Sequence, residues 1–161
     1  MIDDSRPVRI RHAGLHDMEV VAVMAGEFFA YLATLDESDP AFDVAGTVEK
    51  LVRSGFGDRP LFYCLLAESD DQPVGYAIYS LGFWADTFQG AVFLTDLFIR
   101  DGWRSLGIGE QMMNQIAAVG GQAGCETLMW TVWTKNEASR RFYDRLGAIP
   151  MDDELLMRLD I

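Results

Sequence analysis

An α/β domain with a mostly antiparallel central sheet is the fold this sequence predicts, and three observations carry the prediction. Short strand-like runs stand at Val8–Arg11, Leu61–Ala67, Val74–Leu81, Ala91–Ile99, Thr127–Val132 and Glu154–Leu159. Stretches with apolar residues at helical spacing separate most of them. The run ending at Ile99 also passes into a helical pattern through a glycine-bearing loop, Arg104-Ser105-Leu106-Gly107-Ile108-Gly109.

Each element follows from local chemistry. Val8-Arg9-Ile10-Arg11 alternates as a first strand, and His16-Asp17-Met18 opens an amphipathic helix carrying Val20, Val21, Met24 and Phe28, expected to run to about Leu32. Ser38-Asp39-Pro40 breaks the pattern; a second helix spans Asp43 to Ser54 with Val44, Val48, Leu51 and Val52 inward, and Gly55 ends it. The next two strands are joined by Ser69-Asp70-Asp71-Gln72-Pro73, a hairpin composition, with Phe83-Trp84 on the loop towards the fourth strand. After the glycine loop, Ile108, Met112, Ile116 and Val119 form one stripe of a helix that Gly120-Gly121 is expected to stop. Thr127–Val132 is the next strand, Glu137–Leu146 a helix closed by Gly147, and Glu154–Leu159 a last strand.

Composition bounds the function. At 161 residues, half of them hydrophobic, one domain over residues 1–161 with a sizeable core is expected, with no repeat or linker. A net charge of -12 and a pI near 4.4 argue against a nucleic-acid partner and favour cationic ligands. The apolar runs read as too short to cross a bilayer, and Met1-Ile2-Asp3-Asp4 lacks a signal-like start, so the expectation is a cytoplasmic protein with no membrane partner. Cys64 and Cys125 have no Cys-x-x-Cys spacing and read as free thiols; no metal is expected.

The glycine loop is where chemistry enters. Backbone N–H groups at a helix N-terminus lack intrahelical partners and carry partial positive charge, which suits phosphate. Glycine at 107 and 109 lets a pyrophosphate approach them. A triphosphate P-loop would need Gly-x-x-x-x-Gly-Lys-Ser/Thr, which is absent. A dinucleotide fingerprint would need glycine at Met112, and the strand after the helix leads to Thr134 where an acidic ribose ligand is required.

The pattern Arg-x-x-Gly-x-Gly at Arg104–Gly109 resembles the coenzyme A pyrophosphate loop of the GNAT N-acetyltransferases. Asn136-Glu137-Ala138-Ser139-Arg140-Arg141-Phe142-Tyr143-Asp144-Arg145-Leu146-Gly147-Ala148 is similar to the same family's Asn-x-x-Ala/Ser, aromatic-Tyr, Leu-Gly-Ala segment. Gly55-Phe56-Gly57, followed by Pro60-Leu61-Phe62-Tyr63-Cys64-Leu65, is similar to the diamine and thialysine branch. The resemblance implies the GNAT fold: a mixed, mostly antiparallel sheet of six to seven strands flanked by about four helices. It also implies acetyl-CoA as co-substrate, a small-molecule amine as acceptor and a homodimer. The strands before and after the loop's helix would be parallel neighbours that splay apart around the pantetheine arm.

Site residues follow from the same resemblance. Backbone groups of Leu97, Phe98 and Ile99 would polarise the thioester carbonyl. Those of Ser105, Leu106, Gly107, Ile108, Gly109 and Glu110 would hold the pyrophosphate, and Arg104 would add charge-assisted bonds. Asn136 and Ser139 would contact the cofactor, although Asn136 also reads as a helix N-cap and Arg104 as a solvated arginine. Tyr143 stands where the family places its general acid; alone it reads as a buried aromatic beside Phe142. The branch's Leu-Glu-Asp strand motif is here Leu94-Thr95-Asp96, and Tyr31-Leu32 stands where the branch has Tyr-Glu. Threonine accepts no proton at neutral pH, which counts against a polyamine. Asp96 is either a structural aspartate anchoring a neighbouring loop or a base acting through water. Glu27, Asp36, Glu37, Asp39 and Asp86 are further carboxylates near the acceptor side. Tyr31, Trp84, Thr95 and Trp130 are candidates for the acceptor pocket. The function expected is direct acetyl transfer to the primary amine of a diamine or amino-acid-like molecule. The alternatives are a protein N-acetyltransferase and a non-catalytic CoA-binding regulatory module.

Overall fold

A computed structural model describes residues 7–36, 41–151 and 155–161. The chain falls into two compact units that meet at Thr131 and Val132.

The first unit holds five strands in the order of the chain: β1 (Arg9–His12), β2 (Tyr63–Ser69), β3 (Gln72–Trp84), β4 (Gln89–Ile99) and β5 (Cys125–Trp130). Neighbours are antiparallel except β4 and β5, which are parallel and are joined through a helix. That connection is the crossover a parallel pair requires. The β2–β3 turn is tight because Asp70 and Asp71 both take positive φ, 49° and 57°, the geometry of a two-residue hairpin loop. β3 is longer than its sequence pattern predicts, so Phe83 and Trp84 lie in the strand rather than on the following loop.

Helices α1 (Met18–Asp36), entered through a 3-10 turn at Leu15–Asp17, and α2 (Val44–Gly55) pack together, and Met18, Val21, Met24 and Ala25 of α1 join Cys64, Leu66, Tyr76 and Phe98 in one buried cluster. The Asp43 side chain caps α2 by accepting from the Gly46 N–H. α1 continues past Leu32 to Asp36; with the turn it forms a 22-residue helix of hydropathy 1.5, long and apolar enough to cross a membrane by length and composition. That corrects the reading of its apolar runs as too short; a third of the stretch is buried, Met18, Val21, Met24 and Ala25 among it.

Helix α3 (Ile108–Gln122) buries Ile108, Met112, Met113 and Ile116. Gly120 and Gly121 do not stop it. Gly120 is a contact surface: a Cβ there would lie 2.4 Å from Val92 Cγ2, so glycine lets the helix close on β4. The chain turns instead at Gly124, with φ 82°.

The second unit contains α4 (Glu137–Arg145), ended at Gly147 in the left-handed conformation. The predicted last strand is not formed among the described residues. Glu154 lies outside them, and 155–161 has no strand pairing and leaves Leu155, Leu156, Met157 and Leu159 exposed. Three consecutive apolar residues give no two-residue alternation, so the run carries no preferred sheet face. The observed sheet is thus the predicted mixed, mostly antiparallel one, with five described strands where six to seven were expected.

Candidate active site

β4 and β5 pair from Gly90 opposite Cys125 to Leu94 opposite Trp130, and there the pairing ends. β4 continues to Ile99 along β3 with no β5 partner for residues 95–99. β4 outruns β5 here, and a strand edge without a partner strand exposes its backbone to a ligand. Buried Leu94 and half-buried Trp130 mark the fork. The Leu97 and Ile99 backbones predicted to meet a thioester lie on the opened stretch, as does Phe98, whose side chain is buried against α1.

Within that stretch the β3–β4 register jumps, from Tyr79 opposite Leu94 to Ile78 opposite Asp96. Thr95 is therefore the extra residue of a bulge, a device that re-aims side chains beside a site. It is exposed, and its hydroxyl donates to the Ile78 carbonyl at 3.1 Å. Asp96 turns to the α1 side, where it accepts a short hydrogen bond from the Tyr76 hydroxyl. Its partner is thus a strand tyrosine, and no loop anchor is seen. Burial raises the Asp96 carboxyl from 3.8 to about 6, opposed by the hydrogen bonds from Tyr76 and from the Leu97 backbone. Nothing in the sequence pairs residues 76 and 96 until the register is known.

At the end of the opened stretch stands the α3 N-terminus. Its cap is Gly107, at φ 79° and ψ 0°, which supplies no side-chain hydrogen bond to the first turn. An added Cβ would find only Gln111 Nε2, 4.0 Å away, so glycine is needed here for its backbone conformation, and the space before the helix is open. Ser105, at φ 62°, turns the loop; Ile108 is buried, while Gly109 and Leu106 are half-buried and Glu110 is exposed. Uncapped N–H groups beside open space fit an anion.

Arg104 is differently engaged. Its Nε donates to the Ile99 carbonyl at 2.9 Å, and its guanidinium lies 4.7 Å from the Tyr31 ring centre and 5.7 Å from that of Phe98. Tyr31 is accordingly a neighbour of the loop arginine. Arg100 is held by Glu27 at 2.6 Å and by the Pro73 carbonyl at 2.8 Å. Trp84 pairs with Gln89 at the far end of β4, five residues of β3 beyond Tyr79, or roughly 17 Å at the strand rise. It is not brought to the fork within this unit. Glu37 and Asp39 lie outside the described residues.

In the second unit, buried Asn136 caps α4: its side-chain oxygen accepts from the Ser139 N–H at 3.1 Å. Asn136 thus forms the N-cap that the sequence allows. Tyr143 is half-buried against Phe142, ring centres 5.0 Å apart. Among the described residues no three His, Cys, Asp or Glu side chains cluster as a metal site.

The model of the acetyltransferase (GNAT) family matches residues 28–148. The chain belongs to the GNAT family. Its similarity to spermidine/spermine N(1)-acetyltransferase-like protein 1 of Homo sapiens is 33% identity over 91% of this chain but 21% of that protein, so the chain spans about a fifth of that relative's length. Thialysine N-epsilon-acetyltransferase of Bos taurus is 29% identical, with 76% of this chain and 77% of that one aligned. An aminoglycoside N-acetyltransferase solved in complex with CoA shares the fold at a TM-score of 0.72 and 16% identity, over all of both chains. In this GNAT domain the opened β4 edge, the bulge at Thr95 and the uncapped α3 terminus are consecutive along one stretch of chain.

Proposed function

We propose that this chain is an acetyl-CoA-dependent N-acetyltransferase that transfers its acetyl group by direct attack to the primary amine of a small molecule, a diamine or an amino-acid-like compound. The observation that carries the reading is the fork at Leu94 and Trp130 leading into the uncapped α3 N-terminus. The relatives named for spermidine/spermine and thialysine support the acceptor class.

Residues then take roles by their chemistry. The backbone N–H groups of Gly107, Ile108, Gly109 and Glu110 hold the pyrophosphate, with Ser105 and Leu106 shaping the turn before them. The Leu97 to Ile99 edge faces the thioester carbonyl, where donors stabilise developing negative charge. Asp96 takes a proton from the acceptor ammonium through water, a role suited to a carboxyl at about 6, ionised at neutral pH. The free amine attacks the carbonyl carbon, the C–S bond breaks, Tyr143 protonates the departing thiolate, and the proton that the new amide nitrogen sheds restores the Tyr143 phenol through solvent. Thr95 and Trp130 border the acceptor. Asn136 and Ser139 belong to the CoA side by the motif they share with the family. Thr95 adds no negative charge beside Asp96, so a diamine or amino-acid-like amine suits the site better than a longer, more highly charged polyamine. A homodimer and a cytoplasmic location belong to the same reading.

Thiol release from acetyl-CoA across a panel of mono-amines, diamines, amino acids and peptide N-termini tests it. Small amines should give turnover, and Tyr143→Phe should lower it about 10² to 10⁴-fold with CoA affinity little changed. Turnover on peptides alone would make the chain a protein acetyltransferase. Tight CoA binding without release for any amine would make it a regulatory module and refute the proposal.

A further inference from the structure

We propose that Tyr76 is a positioning residue for acetyl transfer: its hydroxyl, buried between the sheet and α1, holds the Asp96 carboxylate in the orientation from which it takes the acceptor's proton. This rests on the reading of Asp96 as the base.

Tyr76 stands in the core between the sheet and α1. It is fully buried, and its cluster is otherwise apolar: Met18, Val21, Met24 and Ala25 of α1 beneath it, with Phe98 at 6.2 Å between ring centres. Packing alone would be served equally by phenylalanine. A buried hydroxyl without a partner costs free energy, and this one has the Asp96 Oδ2. The two residues stand on adjacent strands, with Tyr76 opposite Phe98 and Asp96 opposite Ile78, so the phenol reaches one diagonal step across the ladder. Residues 76 to 78 pair in unbroken register with 98 to 96, so the meeting falls on the regular ladder, which ends at the bulge at Thr95.

The surroundings make the donor consequential. Asp96 is desolvated, and its hydrogen bonds come from the Tyr76 hydroxyl and the Leu97 backbone. From β2 the pair meets Cys64, whose thiol burial pushes up to about 12 and which is therefore neutral. Asp17, at the start of α1, acts on Cys64 from further away and is itself bound by Arg11. α1 presents apolar side chains to the cluster, α2 contributes Leu51 and Val52, and Glu27 is committed to Arg100. A donor to the ionised carboxylate favours its charged form, so Tyr76 keeps Asp96 ionised at lower pH than burial alone would.

The test is the pH dependence of kcat/KM for an accepted amine, measured on the full chain with Tyr76→Phe and Asp96→Asn. Removing a hydrogen bond to a charged group should move the acid limb upward by about 1 to 2 pH units in Tyr76→Phe, with KM for acetyl-CoA unchanged. If that variant fails to fold, 3-fluorotyrosine at position 76, a stronger donor of nearly the same shape, should move the limb downward. A limb unmoved in the folded variants overturns the proposal, because a purely structural tyrosine would leave it in place. Asp96→Asn separates the two claims: an unchanged rate and limb there refutes Asp96 as base, whereas loss of the limb in Asp96→Asn with no shift at Tyr76 refutes only the role of Tyr76.

Discussion

Asp96 is held in a state that costs stability, and the cost has a direction in pH. Its carboxyl stands at about 6 in the fold against an ordinary 3.8, so between those values the native state keeps a proton the unfolded chain has released. Stability from this group is complete below about pH 4, falls as pH rises to about 6 and stays reduced above that. Asp96→Asn should therefore melt higher than the parent at about pH 8, by ~2 to 4 °C for each kcal/mol recovered, and lose that advantage below about pH 4, while amine-dependent turnover falls. Thermal melts at the two pH values check it; a variant less stable at pH 8 would contradict the assignment. At this scale the sequence was informative about identity and poor about partners. Asp96 stood out because Thr95 replaced the expected glutamate. Tyr76 and Tyr31 took their contacts from register and loop geometry, which no short-range pattern encodes, whereas the Asn136 cap was readable from its place before α4.

At the scale of elements, the chain end of β1 is locked by one arginine. Arg11 donates to both oxygens of Asp17, at 2.7 and 2.9 Å, and to both of Glu68, at 2.6 and 3.0 Å. Both carboxylates are buried, and the guanidinium holds Asp17 down at about 2 and Glu68 below its usual range. Depressed carboxyls stabilise the fold above their unfolded values near 4 and lose that contribution as pH falls through the folded ones. Arg11→Met should cost about 3 to 5 kcal/mol near neutral pH, because buried Asp17 loses its arginine and Glu68 keeps only Arg9, and the deficit should narrow in acid. Denaturant titrations at about pH 7 and about pH 2 measure it, and an equal loss at both would deny the charge origin. Strand and helix positions were legible from periodicity, since the sheet and α1 bury regular stripes. Boundaries failed where another element intervened: Gly120 reads locally as a stop, yet its lack of a side chain admits Val92 and the helix runs on.

For the molecule as a whole, the GNAT architecture was visible because two motifs, Arg104–Gly109 and Asn136–Ala148, flank a strand at the spacing the fold requires. The net charge of -12 is compatible with the proposed anionic donor, whose pyrophosphate would be met by backbone amides at one helix end rather than by the protein's overall field. What composition cannot express is the fork, which depends on where pairing between β4 and β5 ends. Direct transfer across that fork makes a stoichiometric claim, tested by a single turnover of acetyl-CoA with and without an accepted amine. No thiol burst is expected without amine, and with it one N-acetylated amine for each thiol released. A thiol burst in the amine's absence, with the acetyl group found on the protein, would contradict it.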